Sequence, residues 1–177
     1  MLISSASLLL RMPPKRSRPR TRRFRQGRGL RSLAPLIGTW KIHGRTLGPS
    51  PLSIRGTTRV GWSTIAGFQE HWTVLRVGRQ KIRALEIVGY DPNSGTFPSW
   101  VFSEGAAIPL AYRWEIHGRA VVHAGLGATF RGQFSDDRRV LTGGWRPDSG
   151  GRASPGSQYD ATMTRVASDG PRPSTRR

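Results

Sequence analysis

The sequence lacks cysteine, contains few acidic residues and has no long apolar run. The absence of cysteine excludes disulfide bonds, thiolate metal sites and a cysteine nucleophile. No window of about 18 consecutive apolar residues occurs, so no membrane-spanning helix is expected. Only 10 acidic residues stand against 29 basic ones, which gives the 177-residue chain a formal charge of +19. This excess makes anions the natural partners of any exposed charged surface.

The positive charge is concentrated towards the ends of the chain. Ten basic residues and no acidic one fall within residues 1–31, whereas residues 32–166 hold sixteen basic and nine acidic residues. Isolated apolar side chains among charges of one sign cannot form a core. We therefore predict disordered tails over residues 1–31 and 168–177 and a single domain over residues 32–167, with Met12 as an alternative start of translation.

Two interpretations of the basic segment 11–31 stay open. An arginine-rich arm binds nucleic acid or an anionic membrane by releasing counterions, so nucleic acid is a candidate partner through these residues. A solvated tail is the alternative, because arginine outnumbers lysine 26 to 3 over the whole chain and coding-base composition produces such a bias. Phe24 is the only aromatic residue in the segment, which gives base stacking little support. No complete secretory pattern is present, and the cytoplasm is the default expectation.

Between Leu36 and Val166 the sequence alternates short strand patterns with turn signals, about one turn every ten residues. The strongest turn signal is Asp91–Gly95, in which proline presets one backbone angle and glycine accepts a positive φ. The ten predicted strands are Ile37–Leu47, Ile54–Trp62, Phe68–Val77, Lys81–Tyr90, Gly95–Phe102, Leu110–His117, Ala120–Ala124, Ala128–Phe134, Arg139–Trp145 and Gln158–Val166.

This pattern predicts an all-β fold, a single antiparallel β-barrel of nine or ten strands. An open sheet of that size would leave two exposed edges, which closure removes. A barrel this wide is not readily filled by side chains alone, so an interior cavity is expected. Polar residues such as Gln69 and His71 at alternate positions of one strand fit a lined cavity, and a slipped register or a bulge at Gly67 fits them equally well.

A tryptophan near the first strand and an arginine near the last carry a resemblance. Gly38-Thr39-Trp40, paired with Arg165, resembles the signature of lipocalins and their calycin relatives. The resemblance implies that the indole closes one end of the barrel under the guanidinium. The block Gly89–Asp91, with Thr96, Phe97, Trp100 and Gly105, is similar to the lipocalin-like domain of unknown function 1579 family.

That family resemblance extends over about residues 33–166 and implies a small antiparallel barrel without an established activity. Phe97 stands where the family commonly has tyrosine, and Pro98 after it predicts an edge, a bulge or a break in the strand.

Six tryptophans are many for one small domain. One interpretation is that the tryptophans line a pocket. The other is that they fill the core and cap the ends of the barrel. We take a non-enzymatic barrel that binds a small apolar or planar ligand as the leading hypothesis. The candidate ligand-binding residues are Trp72, Tyr90, Trp100, Tyr112, Trp114 and His71.

Haem is the alternative cofactor, because the related nitrobindins bind haem through one axial histidine on a similar barrel. His123 is the candidate ligand, with His71 as the other histidine that can point inward, whereas His43 and His117 alternate outward. No zinc motif accompanies the histidines, so no metal site is expected.

Catalytic elements are scarce in the sequence. No Gly-x-Ser-x-Gly nucleophile motif occurs. An inward Glu86 would have a raised pKa and be an acid–base candidate. Cross-strand pairing of Glu86 with Arg76 or Arg113 is the other interpretation.

Overall fold

The computed structural model describes residues 29–149 and 158–166, which form one 3-10 helix and ten β-strands. The helix spans Leu30–Leu36. The strands are β1 (Gly38–Thr46), β2 (Ser53–Trp62), β3 (Gln69–Val77), β4 (Gln80–Val88), β5 (Phe97–Ser103), β6 (Leu110–His117), β7 (Ala120–Gly125), β8 (Ala128–Phe134), β9 (Val140–Pro147) and β10 (Tyr159–Arg165).

Every strand pairs antiparallel with its neighbours in sequence, and β1 pairs with β10 to close the barrel. The predicted all-β fold with one closed antiparallel barrel is therefore confirmed. The ends of the ten strands differ from the predicted ends by no more than two residues. Turn residues account for this agreement, because each predicted boundary between two strands contains residues that favour a turn over an extended strand.

The helix closes one end of the barrel with three leucines. A 3-10 helix has three residues per turn, so Leu30, Leu33 and Leu36 share one face. All three are buried in the same apolar cluster as Trp40 and Phe134. The helix and its leucines therefore form the floor of the barrel.

The predicted contact between Trp40 and Arg165 is present at this floor. The two residues are cross-strand partners, and the guanidinium carbon lies 4.3 Å from the centre of the indole. Arg165 also donates hydrogen bonds to the carbonyls of Pro35, at 2.6 Å, and Ile37, while Trp40 Nε1 donates to the carbonyl of Leu36 at 2.7 Å. First strand, last strand and helix are thus joined at one place.

Gly38 makes this contact possible. Its φ is +130°, a conformation that side chains disfavour, and a Cβ there would lie 2.7 Å from Nη1 of Arg165. Any larger residue would push the guanidinium away from the floor. The glycine of the Gly-x-Trp motif therefore has a steric reason in this chain.

The boundary predicted for the amino-terminal tail differs from the structure by two residues, because Leu30 and Arg31 belong to the helix. We placed Arg31 in the tail 1–31, but the helix begins at Leu30, which is only 2% exposed. Charge alone suggested a solvated segment, whereas the three-residue spacing of the leucines places them against the barrel. Residues 1–28 and 167–177 lie outside the described residues, and so do residues 11–28 of the segment 11–31 discussed as a nucleic-acid arm.

Two local expectations are resolved by the strand pairing. No bulge at Gly67 shifts the register of β3, since its ladders with β2 and β4 run without interruption from Gln69 to Val77. Pro98 lies within β5 and pairs with Arg113 of β6. It neither sits on an edge nor breaks the strand, because the ladder of β5 with β4 stops at Ser99 and needs no N–H from Pro98. Within residues 29–149 and 158–166, no helix has the length and apolarity needed to cross a bilayer.

The floor contact gives a first prediction. Trp40→Ala removes a buried indole and one hydrogen bond, so we expect the free energy of unfolding to fall by about 3–5 kcal/mol. Trp72→Ala removes the same side chain from a position that is 54% exposed, and we expect a loss of about 1 kcal/mol or less. Urea denaturation followed by circular dichroism measures both. Equal losses for the two variants would contradict the assigned floor.

Candidate functional site

The barrel is hollow above its floor. A cavity of about 280 Å³ extends from Leu36 and Trp40 at the helix end towards β3, β4 and β5. Leu75, Ala84 and Val101 line it and are partly exposed, whereas the lining near the helix is buried. The cavity therefore reaches solvent away from the floor.

Three of the predicted ligand-binding residues line this cavity. They are His71, Tyr112 and Trp114. Strand alternation explains their position, because each lies two residues from another inward side chain of its strand. Whether they bind a ligand stays a prediction.

The interior position expected for Trp72, Trp100 and Tyr90 is wrong. Trp72 and Trp100 are 54% and 50% exposed on the outer wall, and exposed Tyr90 follows the end of β4. Trp72 follows inward His71 by one residue, so it must face outward. An aromatic residue type does not decide which side of the wall the side chain faces.

Sequence reasoning missed the aromatic residues of the last two strands. Trp145 and Tyr159 line the cavity, and they are cross-strand partners of each other. The signal was available in β9, where Leu141, Gly143 and Trp145 alternate with polar or small residues. Period-two spacing could have identified Trp145 as an interior residue.

A polar cluster around Glu86 interrupts the apolar lining. Glu86 is 7% exposed and points inward from β4. Its Oε1 accepts hydrogen bonds from Ser99 Oγ at 2.6 Å and from Trp114 Nε1 at 2.7 Å. These donors come from β5 and β6, so three strands converge on one carboxylate oxygen.

Two histidines complete the cluster. Nδ1 of His71 lies 3.4 Å from Oε2 of Glu86, its direct cross-strand partner. Nε2 of His71 bonds to Gln69 Oε1 at 2.7 Å, and Gln69 Nε2 donates to the carbonyl of Leu33 in the helix at 3.3 Å. Nε2 of His123 is 3.1 Å from Oε1 of Glu86 but is not aligned for a hydrogen bond. His123 therefore contributes a buried polar nitrogen without a good partner among the described residues.

Aromatic rings surround the imidazole of His123. It stacks on Trp114 with ring centres 3.9 Å apart and planes 11° apart. Trp145 packs edge-on at 5.2 Å, and Tyr112 lies at 4.9 Å. The ring is fixed in orientation beside the carboxylate.

The pKa of Glu86 moves opposite to the sequence expectation. Burial by itself would raise this pKa, but attraction from the nearby nitrogens of His123 and His71 outweighs burial and holds the pKa well below its usual range. The expected raised pKa is therefore wrong. Arg76 and Arg113 are exposed on the outer wall, so neither pairs with Glu86.

The ionised carboxylate also affects the nearby phenols. Burial and then the charge of Glu86 raise the pKa of Tyr112. Burial and then Tyr112 raise the pKa of Tyr159. Both phenols thus keep their protons and remain hydrogen-bond donors at the cavity wall. The arrangement offers a fixed acceptor, Glu86, and phenolic donors within an apolar space.

Haem does not fit the residues as they are arranged. An axial histidine needs a free nitrogen and a flat space for the porphyrin beside it. Trp114, Trp145 and Tyr112 occupy the surroundings of His123, and the cavity of about 280 Å³ is below the range of about 300–1,000 Å³ usual for drug-sized ligands. Within the described ranges no group of three histidine or acidic side chains is arranged to hold a metal ion.

Comparison with known proteins gives no family for this chain. The sequence matches no model of a known protein family and no curated protein. The resemblance to the lipocalin-like domain of unknown function 1579 family therefore stays a prediction.

The Glu86 cluster generates a pH-dependent prediction. In the unfolded chain Glu86 titrates near its ordinary value of 4.5, whereas its pKa in the folded protein is lower. Its contribution to stability is therefore present above pH 4.5 and is lost as the pH falls through that value towards the folded-state pKa. We expect Glu86→Gln to lower the free energy of unfolding by about 2 kcal/mol at neutral pH.

Urea denaturation at a series of pH values measures this difference. The gap between the unsubstituted protein and Glu86→Gln should shrink as the pH falls below 4.5. Glu104→Gln is the control, because the side chain of Glu104 is exposed beside Arg83. A gap that stays constant or widens in acid would be inconsistent with an ionised Glu86.

Proposed function

We propose that this protein binds a small, largely apolar or planar ligand inside its barrel. The observation that carries the proposal is the cavity of about 280 Å³, which has an apolar and aromatic lining and one polar cluster on its wall. Interior sites of this kind combine apolar area for affinity with a few polar groups for orientation. The proposal concerns binding, and it assigns no reaction.

The lining limits the size and chemistry of the ligand. A volume near 280 Å³ suits a compact molecule of one to three rings better than a long acyl chain. An anionic group is disfavoured next to the ionised Glu86, whereas a hydroxyl or amine can donate to it. We therefore favour a neutral or weakly basic aromatic compound.

We further propose that the chain is a lipocalin-like protein. The contact of Arg165 with Trp40, at 4.3 Å, supports this assignment because it is the arrangement that the resemblance implies. The hollow interior supports it as well, since a closed barrel with a free interior is suited to carrying ligands.

N-phenyl-1-naphthylamine tests the binding proposal, because it is neutral, aromatic and fluorescent in apolar surroundings. The full chain should bind it with a saturable increase in fluorescence. Ala84→Phe places a large ring in the cavity, and we expect it to weaken binding by about tenfold or more. Native mass spectrometry of the purified protein gives an independent search for a bound compound.

Ala111→Phe is the matched control, because Ala111 is exposed on the outer face of β6. It introduces the same ring without filling the cavity, so binding should stay unchanged. Equal weakening by both variants, or no saturable binding by the unsubstituted protein together with no bound mass, would overturn the proposal. Circular dichroism confirms that both variants remain folded.

A further inference from the structure

The outer wall of β1 to β5 carries a second feature, separate from the interior cavity. Six exposed cations project from β1, β2, β3 and β4, and we refer to them as the basic face: Lys41, Arg45, Arg55, Arg59, Arg76 and Lys81. The described residues give none of the six an ion pair, since the paired arginines are Arg83, Arg113, Arg119 and Arg146. Like charges at this spacing repel, so an anion bound across them would relieve the repulsion.

Strand register places three of these cations in a continuous row. Arg55 is the direct partner of Arg76 across β2 and β3, and Arg76 is the partner of Lys81 across β3 and β4. Neighbouring strands lie about 4.8 Å apart, so the three cations follow one another around the wall at roughly that interval. A chain of regularly spaced negative charges is the natural complement to such a row.

An aromatic cleft borders the basic face on the same wall. Arg59 is the partner of Trp72, which pairs with Leu85, which pairs with Phe102. Trp72, Leu85 and Phe102 line a shallow cleft of about 260 Å³, with Arg83 beside them. Trp72 and Phe102 lie two strands apart, about 10 Å, which leaves room for a flat ring above Leu85.

Hydrogen bonding holds the indole of Trp72 in place. Its Nε1 donates to Glu70 Oε2 at 3.2 Å, and Glu70 also accepts from Ser63 Oγ at 2.6 Å. A second acid, Glu104, lies 3.4 Å from Arg83 at the other side of the cleft. Both carboxylates border the aromatic cleft and not the row of Arg55, Arg76 and Lys81.

We propose that the outer wall of β1 to β5 binds single-stranded nucleic acid, with phosphates on the basic face and a base stacked in the aromatic cleft. Proteins that bind single strands without sequence preference combine a positive track with exposed aromatic rings. Arg59 is the cross-strand neighbour of Trp72, and the row of Arg55, Arg76 and Lys81 lies four residues, about 13 Å, further along the same strands. This surface is distinct from the segment 11–31 and from the interior cavity.

The geometry favours single-stranded nucleic acid over an anionic bilayer and over a second copy of this chain. An anionic bilayer would have to accept Glu70 and Glu104 beside any inserted aromatic ring, which is electrostatically unfavourable. A second copy of this chain, meeting the same wall about a two-fold axis, would bring a positive face close to another. Single-stranded nucleic acid carries its phosphates on one side and its bases on the other. It therefore matches both the basic face and the aromatic cleft.

Fluorescence anisotropy with a labelled oligothymidylate tests the proposal on the full chain. We expect Trp72→Ala to weaken binding by about tenfold, as loss of one stacked base does, and Trp72→Phe to restore most of it. Arg55→Glu with Arg59→Glu should weaken binding and lower the slope of log affinity against log salt by about 1.4, as expected when two phosphate contacts to a single strand are lost.

Arg131→Glu with Arg139→Glu is the matched control, because it changes the net charge equally on exposed residues elsewhere on the barrel. It should leave the slope near that of the unsubstituted protein. Equal loss in both double variants would overturn the proposal in favour of net charge or the segment 11–31. An unchanged affinity of folded Trp72→Ala would overturn it too.

Two further measurements address the competing occupants. Vesicles of phosphatidylcholine and phosphatidylserine should bind more weakly than the oligonucleotide and be insensitive to Trp72→Ala. Binding of the vesicles, and not of the oligonucleotide, through Trp72 would assign the wall to a membrane. A dimer seen by light scattering and lost in Trp72→Ala with Phe102→Ala would assign it to a second copy.

Discussion

The position of Arg165 over Trp40 is the contact on which the closed barrel depends. Trp40 lies in the first strand and Arg165 in the last, so their contact adds to the β1–β10 ladder that removes the sheet edges. The terminal carbonyls of a helix lack partners within it, and here Trp40 and Arg165 supply donors to Pro35, Leu36 and Ile37. One pair of side chains thereby reinforces the closed sheet and holds the helix as its floor, and the cavity lies above that floor.

The positions of the strands could be predicted because turn residues are local sequence signals. Which side chains of a strand face the cavity depends on the register of that strand with its neighbours. The turn residues between the strands identified all ten strands, and the alternation of residues along β6 placed Tyr112 and Trp114 in the barrel interior. Aromatic residue type suggested the interior for Trp72 and Trp100, whereas their positions in the alternation of the strands place them outside. In a strand whose two faces are equally mixed, composition cannot decide the orientation, and only the pairing with neighbouring strands does.

The environment of Glu86 could not be predicted for a related reason. Its partners come from β3, β5, β6 and β7, and they meet only when the pairing of all these strands is fixed. From the sequence, burial of a lone carboxylate implies a raised pKa. The assembled donors reverse that direction, so the charge of the cavity wall is a property of the closed barrel and not of any one strand.

The inner and outer faces of strands β3 and β4 carry side chains of opposite charge character although they share the same backbone. His71 and Trp72 are consecutive residues, as are Leu85 and Glu86, and in each pair one side chain faces the cavity and the other faces solvent. Inside, an ionised carboxylate in a low-dielectric space disfavours anions. Outside, cations that have no ion pair within residues 29–149 and 158–166 favour them. Alternation keeps the two sets of side chains on opposite sides of the sheet. Substitutions at every second residue of a strand therefore alter one surface and leave the other intact.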